Sequence, residues 1–257
     1  MTALRYVYAL CFPLGAPLQE QMKGIGGAPT EELEHHGLVA VVSDVPEEDF
    51  AETPLKAHLE DLDWLAATAR AHQHVIDVLT GVTTPLPLRL ATVFRDDSGV
   101  RSMIEDREDD FRHALERLEG RVEWGVKVYM DDRQTDTAED NITATKATSG
   151  RDYLRQRHTR TMAHDELWGK AEEFARRLHT TLSSHAEDAR LHTPQSATLS
   201  RAAGRNVLNA AYLVARGRSE EFVELVDRTG DDSPGIRVEL TGPWAAYSFT
   251  GLTEGET

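Results

Sequence analysis

Val122-Glu123-Trp124-Gly125-Val126-Lys127-Val128-Tyr129-Met130 alternates between two kinds of position, with Val122, Trp124, Val126, Val128 and Met130 sharing one face. A period of two marks a strand with one face covered and the other wet. Downstream, helical periodicity runs from Gly150 to His185, a weak strand covers about Arg190–Leu199, and a strong one covers Asn206–Arg216. A helix over Ser219–Arg228 and an alternating strand over Ile236–Leu240 complete the set. The order β-α-β-β-α-β is that of the ferredoxin-like unit. In that unit the second strand lies at a sheet edge, where Pro194 is tolerated because proline has no N–H to give to a neighbour. The third strand is central, and Val207–Val214 is apolar on nearly both faces, as a central strand requires. A cut in the polar stretch 131–150 would strip the unit of its first strand. The boundary is therefore expected near Gly120, with an N-terminal domain over 1–119 and a ferredoxin-like domain over 120–257 that carries a flexible acidic loop at 131–150.

Upstream, Leu4–Leu10 reads as a short strand and Pro13–Pro29 as a loop rich in Gly and Pro. Gly24-Ile25-Gly26-Gly27 within it lacks the third glycine of a dinucleotide fingerprint and the Lys-Ser/Thr of a P-loop, so it reads as a flexible loop. Leu38–Val42 is a continuous apolar run suited to a strand buried on both faces, and Pro46 ends it. Leu55, Leu59, Leu62, Ala66, Ala69, His72, Ile76 and Leu79 fall at steps of three or four, the stripe of an amphipathic helix. Pro85 and Pro87 bracket a strand over Leu86–Phe94. A second helix starts at Ser98 as N-cap, buries Met103, Ile104, Phe111, Leu115 and Leu118, and stops at Gly120. The whole is an α+β chain of two domains, the first a smaller sheet-and-helix unit ordered β-β-α-β-α.

Composition narrows the function. With 257 residues, 40% hydrophobic and 28% charged, the chain reads as a soluble globular protein able to bury a core in one or two domains. A net charge of −16 argues against nucleic acid and anionic lipid as partners, because phosphate binding rests on clustered Lys and Arg. The single cysteine, Cys11, cannot form an intrachain disulfide and reads as a small buried hydrophobe. No run offers the roughly 20 apolar residues of a membrane span, and the first residues lack the pattern of a signal peptide. A cytoplasmic protein is expected.

The search for chemistry returns little. His72 and His74 point to different faces of a helix, and His72, on the apolar stripe, is expected to be a core histidine. His35 and His36 are adjacent, so strand geometry sends them opposite ways into solvent. His158 and His164, like His179 and His185, match no helical ligand pair. No zinc, EF-hand or nucleophile-elbow motif occurs, so neither a metal nor a catalytic residue is expected. Glu105-Asp106 and Glu108-Asp109-Asp110 read as a solvated helix face. Arg151, Arg155, Arg157 and Arg160 read as an exposed face paired with nearby acids, or as a docking patch for an acidic segment.

After the last strand, Thr241-Gly242-Pro243 stops the alternation, and Trp244, Tyr247 and Phe249 follow close together. So much aromatic surface near a terminus has to dock, either as a clamp on its own domain or on a partner. The clamp is the expectation, with Pro243 helping to set the exit angle. The stretch Leu240–Phe249 resembles the Leu-Thr-Gly-Pro-Trp-Pro-Pro-Tyr-Ser-Phe signature that closes the gas vesicle protein F/L family, with Ala245-Ala246 where that family usually has two prolines. Arg5–Leu10 resembles the family's opening strand, and Asp61–Leu65 with Ala69–His72 its first long helix. Leu86–Phe94 is similar to a Pro-Leu-Arg-Phe-Gly-Thr-Val-Phe motif, except that Leu90-Ala91 replace Phe-Gly. Glu123–Val128, Gly150–Leu154 and Asn209–Val214 also fit, in the family's order.

This resemblance implies a two-domain α+β accessory protein of gas vesicle formation, not an enzyme and without a cofactor. It implies partners in the major gas vesicle shell protein and other gas vesicle accessory proteins, with binding during nucleation or assembly, and it leaves open whether the protein is then released or retained as a minor shell component. It also implies a cytoplasmic protein associated with the vesicle. Trp244, Tyr247, Phe249 and Pro243 are the candidates for protein binding or tail docking. Because a fold does not fix a function, the competing expectation is a ferredoxin-like small-molecule-binding protein or enzyme with a site between the domains.

Overall fold

The computed structural model describes residues 3–15, 22–130, 150–194, 204–230 and 235–251. The chain separates into two compact units, one running to Val122 and resuming at Trp244, the other spanning Glu123–Pro243.

The first unit is built on β1 (Ala3–Cys11), β2 (Thr30–His35), β3 (Leu38–Pro46), β4 (Leu86–Pro87) and β5 (Val93–Phe94). They form one sheet in the order β2-β3-β1-β4, with β5 also paired to β1, and every pairing is antiparallel. Every residue from Tyr6 to Cys11 and from Leu38 to Ser43 is buried, so both faces of the central strands are covered. β2 falls just after the expected Pro13–Pro29 loop and was not foreseen as a strand. Only Leu33 of Thr-Glu-Glu-Leu-Glu-His is buried, a polarity that suits an edge strand paired on one side. The Gly24–Gly27 stretch is not a free loop: Ile25 is buried in the core and its N–H donates to the Tyr8 hydroxyl at 2.8 Å.

The helices depart from the expected boundaries for identifiable reasons. The single helix foreseen over Leu55–Leu79 is two pieces, α2 (Glu52–His58) and α3 (Leu62–Val82), and a short helix that was not foreseen, α1 (Glu47–Phe50), precedes them. Asp61 makes the break by capping α3, its carboxylate accepting from the N–H groups of Asp63 and Trp64. Leu62 is consequently 78% exposed, and the buried stripe begins only at Thr68 and continues through His72, Val75, Ile76 and Leu79. The foreseen strand Leu86–Phe94 is split into β4 and β5 by Ala91, whose φ is +65°. The next helix is also two, α4 (Asp97–Asp106) and α5 (Glu108–Leu118), and its N-cap is Asp96 and not Ser98. Gly120, at φ +68°, leaves the helix as expected.

The second unit contains β6 (Arg121–Met130), α6 (Gly150–His185), β7 (Asp188–Leu191), β8 (Arg205–Ala215), α7 (Ser219–Gly230) and β9 (Ile236–Trp244). Its sheet order is β7-β8-β6-β9, with the first and third strands at the centre and the second at an edge. That is the ferredoxin-like order the alternation in β6 led to. β6 buries every second residue through Val128. α6 covers the sheet with Ala171, Phe174, Ala175, Leu178 and Leu182, and α7 adds Phe222 and Val226. The hydroxyl of Tyr212 on β8 lies 2.8 Å from His179 Nδ1 of α6. β7 is shorter than foreseen and ends before Pro194; the rest of that expected strand, 195–199, and the acidic loop over 131–149 lie outside the described residues.

Candidate functional site: the returning tail

β9 runs on past Leu240 to Trp244, and a single helical turn, Tyr247–Phe249, follows. Gly242 makes the exit possible. Its φ is +131°, and a Cβ there would stand 2.9 Å from the Glu123 carbonyl oxygen and 3.0 Å from the Trp124 ring, so no other residue fits. The turn closes with Tyr247 N–H donating to the Ala245 oxygen at 2.8 Å and Phe249 N–H to the Ala246 oxygen at 3.0 Å.

The tail divides residue by residue between anchor and surface. Ala245, Ala246 and Phe249 are buried, whereas Pro243 is exposed and Trp244 and Tyr247 keep 40% and 38% of their surface in solvent. Ala245 joins the first unit's core beside Tyr6, Tyr8, Val75, Ile76 and Leu79. The Tyr247 hydroxyl donates to Gln73 Oε1 on α3 at 3.2 Å. The tail was expected in a C-terminal unit over 120–257; its described residues, Trp244–Gly251, group instead with the first unit. The three aromatics differ in burial, Phe249 being fully enclosed and Trp244 and Tyr247 only partly covered. Phe249 is an anchor, together with two alanine methyls small enough to enter a closed core, and the larger Trp244 and Tyr247 stay at the surface.

Beneath the tail lies a polar pair in an otherwise apolar core. The Tyr6 hydroxyl accepts from Ala91 N–H at 2.9 Å, which leaves its proton for His72 Nδ1, also at 2.9 Å. His72 Nε2 has no hydrogen-bond partner among the described residues, and burial pushes the imidazole pKa down to about 4. His72 is thus the core histidine its place on the helical stripe implied, neutral at neutral pH. Burial, and secondarily Glu32, pushes the Cys11 thiol up to about 12, which leaves it unreactive.

The histidines of the first hairpin overturn a spacing argument. His35 and His36 were expected to face opposite ways, but His36 sits in the turn at φ +50° and its ring stacks on that of His35 with centroids 4.3 Å apart. Of the arginines on α6, Arg151, Arg155 and Arg157 are exposed, and the side chain of Arg160 lies outside the described residues.

The tail motif, the buried opening strand and the two antiparallel sheets all carry the features of one family. The profile of gas vesicle synthesis protein GvpL/GvpF matches residues 4–251. The chain belongs to the gas vesicle protein L/F family. It is 57% identical over 252 residues to gas vesicle protein L of a Streptomyces species, covering 98% of this chain and 94% of that protein. Gas vesicle protein F of the same species is 26% identical, with 95% and 98% covered. The crystal structure of the gas vesicle protein GvpF from an Anabaena species superposes with a TM-score of 0.71 at 17% identity, with 99% of each chain covered, and so shares the fold. Among the described residues of this L/F-family chain, no helix is long and apolar enough to cross a membrane.

Proposed function

We propose that this gas vesicle L/F-family protein is a cytoplasmic, non-enzymatic assembly factor that binds the major gas vesicle shell subunit through Trp244 and Tyr247. The observation that supports this reading is the division of the tail: a buried anchor of Ala245, Ala246 and Phe249 holds two large aromatic faces partly in solvent. Tyr and Trp offer much contact area for few rotatable bonds, which is why they dominate binding hot spots. A shell that excludes water from its gas space needs subunits with an apolar face, and before assembly that face is prone to aggregate. A factor with net charge −16 that covers such a face keeps the complex in solution. Identity of 57% to protein L against 26% to protein F of one species favours an L-type role.

The test is co-purification of the major shell protein with the full chain and with Trp244→Ala and Tyr247→Ala, with thermal melts on the same preparations. Lost capture at an unchanged melting temperature supports the reading. Undiminished capture by the double variant contradicts it. Recovery of the chain from washed vesicles would add the finer role of a minor shell component.

A further inference from the structure

We infer that the tip of the β2–β3 hairpin and the junction of α4 with α5 form a site for a first-row divalent transition-metal ion of the zinc class, ligated by His35, His36 and Glu105 and oriented by Glu108. The sequence places the histidines where the chain must reverse. β2 and β3 are joined by His36 and Gly37, both left-handed at φ +50° and +69°, the two-residue turn that the right-handed twist of a hairpin prefers. Asparagine or glycine takes the first of these positions with less strain than histidine. A strained non-glycine residue invites a functional account. Here the left-handed backbone brings the His36 ring over the His35 ring at an interplanar angle of 21°, so both imidazoles lie on one side of the hairpin.

Two carboxylates face them from the other side. His35 Nε2 is 2.7 Å from Glu105 Oε1, and one ligand nitrogen of each histidine and one Glu105 oxygen all lie within 4.8 Å of one another. Two bonds of about 2.1 Å to a shared ion bring donors within about 4 Å, so small side-chain rotations close the set. Glu108 completes the design without being a ligand. Its Oε2 accepts from His36 Nδ1–H at 2.7 Å, and its Oε1 accepts from Arg112 Nε at 2.8 Å. Arg112 also donates to the His36 carbonyl oxygen, which fixes the turn to α5. With Nδ1–H donated to Glu108, the lone pair of His36 is on Nε2, the arrangement in which a carboxylate orients a metal-binding imidazole.

The donor set selects the ion. Two imidazole nitrogens and one carboxylate suit zinc, nickel, cobalt or copper, whereas calcium and magnesium require mainly oxygen. His36 and Glu105 are exposed, so water can fill the remaining positions. Bound there, the ion would staple the hairpin to helices some 70 residues away and stabilise the folded chain by mass action. Without an ion the same groups form two surface pairs, which contribute little.

The experiment uses untagged full-length protein, treated with EDTA and dialysed, then titrated with cobalt and zinc chlorides. Wild type is expected to bind one cobalt with visible d–d absorption, to release it to zinc, and to melt at a higher temperature with zinc than without. His36→Asn keeps a residue that accepts the left-handed turn and removes the imidazole; it and Glu105→Gln should each weaken zinc binding at least tenfold and abolish the shift in melting temperature. Glu108→Gln should weaken binding by about tenfold. Calcium should change nothing. A folded wild type that binds no cobalt or zinc at millimolar concentration overturns the inference, and so does binding that His36→Asn and Glu105→Gln leave unchanged.

Discussion

In the first unit the central strands pass through unbroken buried runs, Tyr6–Cys11 and Leu38–Ser43, while β6 of the second unit alternates buried and half-buried residues from Arg121 to Val128. Covered on both faces, the first sheet leaves a substituted side chain nowhere to go. The second sheet keeps one partly wet face, carrying Arg121, Glu123 and Lys127, where a change can relax into solvent. The tail joins these two regimes. It leaves the last strand of the second unit and sets its anchor in the less forgiving core of the first. The difference teaches where the tail is held: its buried residues sit in the unit whose central strands are covered on both faces, and Trp244 and Tyr247 stay partly in solvent.

The comparison breaks first at Phe249. Truncating this fully buried ring to alanine should destabilise the chain by about 3–5 kcal/mol, as for other buried aromatics. Chemical denaturation measures the loss, and a cost below that of an ordinary surface change would remove the anchor from the account.

A slightly smaller effect tests how closed that core is. Burial pushes the His72 pKa down to about 4 from an ordinary value of about 6.5, so between these pH values the unfolded chain holds a proton that the folded chain lacks. Stability is full above about pH 6.5 and falls as pH drops toward 4, by about 3 kcal/mol at the lower limit. His72→Leu should flatten this slope relative to wild type in denaturant titrations run between those limits. At neutral pH, His72→Ala should cost about 1–3 kcal/mol through the cavity and the lost bond to Tyr6.

Gly242→Ala probes the second unit, where the new methyl would meet the Glu123 carbonyl and the Trp124 ring. A loss of about 1–3 kcal/mol is expected, because the backbone conformation excludes a side chain as well. The smallest effect has the opposite sign. Ala91 holds φ +65° where the family's motif carries glycine, so Ala91→Gly should stabilise by up to about 1 kcal/mol. An unchanged or lower midpoint would mean that the turn carries no strain.

The ferredoxin-like unit was legible because its information is local: alternation in β6, two-sided apolarity in β8 and an edge strand that stops before Pro194. β2 was not, since an edge strand may be polar throughout and its Leu33 alone gives no period. The helical stripe from Leu55 continued across Asp61 because hydrophobic spacing does not register a cap; the Asp-Leu-Asp-Trp wording held that signal. Adjacent histidines were read as strand residues, although Gly37 immediately after them was the mark of a turn. The tail's residues were named from the sequence, but their division into anchor and surface follows from which unit they meet, and no local pattern carries that.

Shell-protein capture by Trp244→Ala tests the central claim most directly, measured beside the melting temperature of the same sample. The account predicts a melting temperature within a degree or so of wild type, as for a change at a half-exposed position, together with loss of capture. A large fall in melting temperature with capture intact in the folded fraction would contradict it, because Trp244 would then belong to the anchor and not to the presented face.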